Sequence, residues 1–344
     1  MTMTSVIWFN KCFSSIYDII EQIKESDTKK EFKILCTHEN PEFIGFEKAD
    51  LHEVEKTNMG NEDYINYCLN ICRLYNVSLF LPFKKASFIA SQMHRFEEAG
   101  IKVLVCASPE IFEILNDKVR LYDTLKDCPV LIPEYYKFNS LDSFKSAYQI
   151  LKKNHKKICL KPTQSVYGLG FKIIKEDIND LKSFLSGDIN YTTLDDLTQK
   201  LSMSNTFRDM MLMEYLDGTE YSIDCLAKDG NLICATVRKK PFLSGRAQIL
   251  VKNEQLIETA KFLTQKFQLN YIFNIQMRGE ENSPKLLEIN SRMAGGLYFS
   301  TFSGINYTYW AIKLAMGSDI SEIPKQEYNI RVNQAYKSFQ LKDR

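Results

Sequence analysis

Two neighbouring apolar runs in residues 272–298, IFNIQMRGEENSPKLLEINSRMAGGLY, carry polar side chains at alternate positions, and this pattern restricts the fold more than any other stretch. By the two-residue period of a strand, Phe273, Ile275 and Met277 share one face while Asn274 and Gln276 share the other. In the second run Leu287 and Ile289 oppose Glu288, Asn290 and Arg292. A hairpin pairing the two runs gathers amides, one carboxylate and one guanidinium on a single face. Such a face is costly to enclose unless a charged ligand meets it. Hard oxygen donors beside an arginine suit magnesium, which completes its shell with water and substrate phosphates. Taken alone, Glu288-x-Asn290-x-Arg292 reads more readily as the solvated face of an edge strand.

Three upstream segments change that balance. In ICLKPTQSVYGLGF (residues 158–171) an apolar run ends on Lys161 and passes through a turn with Gly168 and Gly170 before the apolar FKII. This predicts a hairpin with a glycine-bearing tip, whose amides can line an anion and whose lysine adds a point charge. It has neither the GxGxxG-to-helix order of a dinucleotide fold nor the GK[ST]-to-helix order of a Walker loop, and an ordinary hairpin explains it as well. In MLMEYLDGTEYSIDCLAKDGNLICATV (residues 211–237) an apolar run reaches Glu214, bends at Asp217-Gly218 and resumes as two strands joined at Lys228-Asp229-Gly230. Glu214 and Glu220 lie six residues apart about this bend, close enough to bracket a small ligand's base and sugar, although two glutamates on a turn are usually just solvated. In residues 116–138, Leu115, Val119 and Tyr122 follow a helical spacing with Asn116 as N-cap and Lys118 in the first turn. A lysine there opposes the helix dipole, so it is either solvated or meets an anion.

In order and spacing these elements resemble the ATP-grasp superfamily over roughly Leu115 to Met316, as in carbamoyl phosphate synthetase, biotin carboxylase and D-alanine ligase. The resemblance implies an α/β (α+β) architecture: a Rossmann-like parallel-sheet domain over 1–114, then an ATP-grasp domain over 115–344. The latter divides into a lid at about 133–212 and a metal and phosphate subdomain at about 213–344. It implies that Lys118, Lys161, Gly168 and Gly170 contact ATP phosphates, that Glu214 and Leu216 meet adenine, and that Glu220 meets ribose. Gln276, Glu288 and Asn290 match the metal-binding set, with Mg2+ expected and Mn2+ as an alternative ion. Many relatives have a carboxylate where this chain has Gln276, which leaves one or two ions open. Arg292 matches the arginine that stabilises the transferring phosphoryl group, with Lys161 beside it. The implied activity is ADP-forming carboxylate–amine ligation through an acyl phosphate, on an amino acid or peptide-like metabolite. A small-molecule kinase and a non-catalytic nucleotide-binding regulator are the alternatives. For the substrate anion the candidates are Arg238, Lys239 and Arg246, in a basic connection that also reads as an exposed loop, and the backbone of Gly295 and Gly296. A homodimer is expected by analogy, although no segment specifies an interface.

The chain has 344 residues, more than one hydrophobic core usually holds, so two or three subdomains are expected. β-like runs at Ser5 to Phe9, Phe32 to Thr37, Val77 to Pro82 and Lys102 to Val105 alternate with helical stretches at Ile16 to Ile23, Tyr64 to Leu74 and Ala86 to Ala99. That alternation predicts a parallel sheet with crossover helices. The polar stretch from Ser186 to Asp209 is expected to be the most mobile part of the lid. With 44 basic and 43 acidic residues, interspersed, there is no electrostatic case for nucleic acid. Nine cysteines without CxxC pairs suggest reduced thiols in a cytoplasmic protein, and four scattered histidines argue against zinc. No apolar run reaches membrane-spanning length, and MTMTSVIWFNK lacks the basic start of a secretory signal.

Overall fold

The computed structural model describes residues 4–165, 168–176, 190–240, 247–335, 338 and 340. The chain folds as two compact units, one formed by Met1–Glu113, Glu220–Gln276 and Ile289–Arg344, the other by Ile114–Thr219 and Met277–Glu288.

In the first unit, strands β1 (Ser5–Asn10), β2 (Phe32–His38), β3 (Leu51–Val54), β4 (Val77–Pro82) and β5 (Lys102–Val103) form a parallel sheet in the order β3-β2-β1-β4-β5. Both faces are covered, which is why the central strands read as nearly continuous apolar runs. Ile7, Phe9, Ile34 and Leu79 pack with the helix Ile16–Ser26 on one side. Val6, Trp8, Leu35 and Phe80 pack with the helix Asn61–Tyr75 on the other, where Trp8 and Phe80 stack with centroids 3.9 Å apart. β3 escaped the sequence pattern because it is a short edge strand, LHEV, with no fully buried residue. The helix expected over Ala86 to Ala99 is two short helices, Ala86–Ser91 and Met93–Glu98, interrupted where Gln92 leaves helical backbone at φ −114°, ψ 20°.

In the second unit, β6 (Tyr135–Phe138), β7 (Ile158–Pro162), β8 (Lys172–Lys175), β9 (Tyr191–Thr193) and β10 (Met210–Glu214) form a sheet in the order β6-β10-β7-β8-β9. The helix Leu141–Asn154 lies on it through Phe144 and Leu151, against Phe138, Leu160 and Leu212. Its start is fixed by a reciprocal cap: Ser140 Oγ accepts from the Ser143 amide, and Ser143 Oγ accepts from that of Ser140. The expected hairpin is present, with β7 antiparallel to β8. Part of the polar stretch from Ser186 to Asp209 forms β9 and the helix Leu194–Leu201, which buries only Leu197; residues 177–189 lie outside the described residues.

A third sheet has the order β15-β14-β11-β12-β13-β16, with β11 Thr219–Lys228, β12 Asn231–Lys240, β13 Gln248–Val251, β14 Tyr271–Gly279, β15 Lys285–Asn290 and β16 Ile330–Val332. Asp229 at φ 51° and Gly230 at φ 73° make the turn between β11 and β12, a pair of positive φ angles that matches the twist of a tight hairpin.

One side chain ties an N-capped helix to the strand bearing Glu288. The helix Lys118–Leu125 begins at Asp117, not at the expected Asn116, which closes the preceding helix Pro109–Asn116; Asp117 Oδ1 accepts from the Val119 and Arg120 amides. Five residues on, the buried Tyr122 points its hydroxyl at the carbonyls of Leu287 (2.8 Å) and Leu286 (3.1 Å) on β15. Tyr122→Phe is expected to lower stability by about 1 kcal/mol, the usual net value of one buried hydrogen bond. Urea denaturation measures it, and an unchanged midpoint would show that this bond holds nothing.

Candidate functional site

In the second unit two lysines and one carboxylate converge. Lys118, only 6% exposed, places Nζ 3.6 Å from Glu288 Oε2 and donates to the Ser165 carbonyl at 3.3 Å. Its amide donates to the Thr163 carbonyl at 3.0 Å, and Gln164 Nε2 donates to Asp117 at 3.3 Å. The helix start and the chain leaving β7 are thereby fastened together. The cation that opposes its own helix dipole is balanced by Glu288 and by a carbonyl from that loop.

Lys161, on β7, keeps partial solvent exposure, yet its ammonium is crowded by protein. Burial pushes it down to about 8, the Lys118 ammonium adds to the shift, and Cys159 and Glu288 oppose it. The Lys161 cation is thus disfavoured where it stands, a cost that a bound anion would relieve. At the tip of the hairpin Gly168 and Gly170 take φ +67° and +79°. A Cβ at Gly170 would also lie 2.9 Å from the Pro162 ring, so glycine is required there; Val166 and Tyr167 lie outside the described residues.

Glu214 sits in a setting that sequence reading did not foresee. It is 9% exposed, and Oε1 accepts from Lys285 Nζ at 2.5 Å and from the Glu134 amide at 2.8 Å. His155 lies 3.8 Å from its Oε2 and bonds Glu134 at 2.7 Å, and the imidazole holds the Glu134 carboxyl below the usual range. The Glu214 carboxylate is therefore engaged inside its own unit, and Leu216 beyond it is buried. Nothing in the sequence spacing of His155 or Lys285 signalled this cluster.

In the first unit Glu220 pairs with Lys240 at 2.5 Å across the β11–β12 ladder. Gln276 is half-buried on β14, and Asn290 Nδ2 lies 3.5 Å from Asn274 Oδ1. Arg292 donates to the Met293 carbonyl at 3.0 Å and stacks its guanidinium 4.6 Å from the Phe13 ring centroid. With Ser291 it borders a small cavity otherwise lined mainly by apolar residues, among them Leu81, Phe83, Leu104 and Met293.

The basic segment expected as a connecting loop is instead the end of β12 as far as Lys240, while Arg246 lies outside the described residues. Arg238 is 2% exposed and its guanidinium is engaged by Asp224, Ser222 and Gln248 at 2.7–3.3 Å. Lys239 is half-buried, in register with Tyr221. A Cβ at Gly296 would approach Arg238 Nη1 to 2.8 Å, whereas one at Gly295 would meet nothing within 4 Å. Gly296 thus makes room for the guanidinium. Asp224 was missed although a carboxylate within the apolar run YSIDCLA, two strand positions from a serine in register with Arg238, is the signal that could have revealed it.

Gln276, Glu288 and Asn290 offer two amide oxygens and one carboxylate, a set that fits a hard divalent cation sharing its shell with phosphate and water. Among the described residues no three His, Cys, Asp or Glu side chains cluster as a metal site, and no helix is long and apolar enough to cross a membrane.

Residues 206–338 match a family model described as ATP-grasp in the biosynthetic pathway with Ter operon. Carnosine synthase 1 of Gallus gallus is 32% identical over 124 residues, which is 31% of this chain and 13% of that protein. The chain therefore spans about an eighth of the curated relative's length. Among solved structures, the ADP complex of the purK N5-carboxyaminoimidazole ribonucleotide synthetase superposes with a TM-score of 0.68 at 12% identity, over 96% of this chain and 80% of the other. The L-amino acid ligase of Bacillus licheniformis gives a TM-score of 0.60 at 14% identity, over 92% and 75%.

The depressed Lys161 has a consequence for stability. An unfolded lysine titrates near 10.5, so between about 8 and 10.5 the unfolded chain holds a proton the folded one has released. The penalty is full below pH 8 and fades as pH rises to 10.5. Lys161→Met should raise the melting temperature most near pH 7 and progressively less toward pH 10. A difference that does not vary with pH would contradict the shift.

Proposed function

We propose that this ATP-grasp protein is an ADP-forming carboxylate–amine ligase acting on an amino acid or a peptide-like metabolite. The observation that carries this reading is the Lys118–Lys161–Glu288 cluster, a carboxylate beside two ammonium groups, one of them destabilised as a cation. A nucleotide triphosphate supplies the missing negative charge. Restoring full charge to Lys161 would then be part of binding.

In this reading Lys118 and Lys161 bear on the phosphate oxygens, and the backbone about Gly168 and Gly170 closes over them. Adenine lies against the backbone near Glu214 and Leu216, and Glu220 faces the ribose. Gln276, Glu288 and Asn290 would hold a magnesium ion, which when bound would neutralise phosphate charge and make ADP a better leaving group. A substrate carboxylate oxygen attacks the γ-phosphorus and ADP departs. The amine then attacks the acyl carbon, loses a proton, and phosphate leaves. Arg292 offsets the charge that builds on the transferring phosphoryl group and on the tetrahedral oxyanion. The chain's work is placement and charge compensation, with no covalent enzyme intermediate.

The domain division proposed is a front domain over 1–114 and an ATP-grasp domain over 115–344, with the lid at about 133–212. The names of two similar proteins, carnosine synthase and L-amino acid ligase, support amino acids as the substrate pool. Arg238 is engaged with Asp224, so Lys239, Arg246 and the backbone of Gly295 are the better candidates for a substrate carboxylate.

Magnesium-dependent release of ADP and phosphate, measured across pools of amino acids, dipeptides and small carboxylates, is expected to rise with one pool. It should fall by about 100-fold or more in Glu288→Gln, the scale of several kcal/mol of metal-borne charge stabilisation. Hydroxylamine in place of the amine should trap a hydroxamate. Phosphorylation of a hydroxyl substrate with no hydroxamate would replace the ligase by a kinase.

A further inference from the structure

We infer that Asn274, oriented by the buried Asp224–Arg238 pair, is a positioning residue that turns the Asn290 side-chain oxygen outward for the metal; this rests on the ligand role proposed for Asn290. Asn274 is fully buried, and its Nδ2 faces three acceptors: Asp224 Oδ1 at 2.8 Å, Ser222 Oγ at 3.0 Å and the Ile223 carbonyl at 3.1 Å. A carboxylate and a carbonyl only accept, so the amide can point its NH2 nowhere else. The Asn274 oxygen is left on the opposite side, 3.5 Å from Asn290 Nδ2. The reverse rotamer of Asn290 would set two oxygens against each other. The amide nitrogen therefore stays on the Asn274 side, and the oxygen is the atom of Asn290 that would serve a hard cation.

The frame behind Asn274 has no slack. Asp224 Oδ2 accepts from Arg238 Nε at 2.7 Å and from Ser300 Oγ at 2.6 Å, and Oδ1 accepts from Arg238 Nη2 at 3.3 Å as well as from Asn274. Arg238 Nη1 is held by Gln248 at 2.7 Å, and Gly296 leaves it space. Asp224, Asn274 and Ser300 are fully buried, so each lost partner would leave a polar group in the interior. Groups that orient a metal ligand typically tune its affinity by about 10- to 100-fold.

The test is direct Mn2+ binding in the presence of ADP, followed by electron paramagnetic resonance, with ADP affinity in EDTA as the metal-free control. Asn274→Leu should weaken Mn2+ by about 10- to 100-fold with ADP affinity in EDTA unchanged. Asn290→Ala should weaken it at least as much, and the double variant should be no worse than Asn290→Ala, because Asn274 acts only through Asn290. Should Asn274→Leu not fold, Ser300→Ala removes a single donor to Asp224 and is expected to give a smaller loss in the same direction. Normal Mn2+ binding by folded Asn274→Leu or by Ser300→Ala, alongside a loss in Asn290→Ala, overturns the positioning role and leaves the site standing. Additive losses in the double variant overturn it too. Normal binding by Asn290→Ala overturns the metal assignment itself.

Discussion

A fully buried carboxylate is the constraint around which the third sheet is organised. Asp224 lies mid-strand with no access to water, and isolated it would cost many kcal/mol. It is tolerated because Arg238, Asn274 and Ser300 surround it with four donated hydrogen bonds. Each donor comes from a different element: β12, β14 and the short helix Leu297–Ser300. The charge pair adds little net stability compared with an apolar pair of the same size, but it permits one arrangement of those elements and not their neighbours in register. A one-residue slip of β12 on β11 would turn Arg238 to the opposite face of the sheet, away from Asp224 and Ser222.

The same principle separates the two kinds of candidate residue. Lys118 and Lys161 both lie near the Glu288 carboxylate, and burial together with the Lys118 charge disfavours the Lys161 cation where a ligand is proposed. Glu214 and Arg238 have protein partners that match their charge. The first pair are the groups a ligand would stabilise, and the second pair are groups that shape the surroundings.

Much of the architecture was legible because period-two alternation and turn residues are local signals. The front parallel sheet, the β7–β8 hairpin and the Asp229-Gly230 turn could all be placed from residue order alone. β3 could not, since an edge strand lacking buried residues leaves no apolar trace, and the break at Gln92 interrupts a stretch whose residues all suit a helix. At the site, Asn274 was visible as a polar residue out of place in an apolar run. Its partners were not, because Ser222 and Asp224 come from a strand some fifty residues away and meet it only through sheet pairing. His155 and Lys285 around Glu214 are hidden for the same reason.

The lowered affinity of Lys161 for its proton also bears on calorimetry. Near pH 8 the free protein holds this lysine only partly protonated, and an anion that settles against it draws a proton from solution. The heat measured for such binding contains the ionisation heat of whichever buffer gives up that proton. Titrations in Tris and in phosphate would then report different enthalpies for one and the same event, and the slope between them would count the protons taken up.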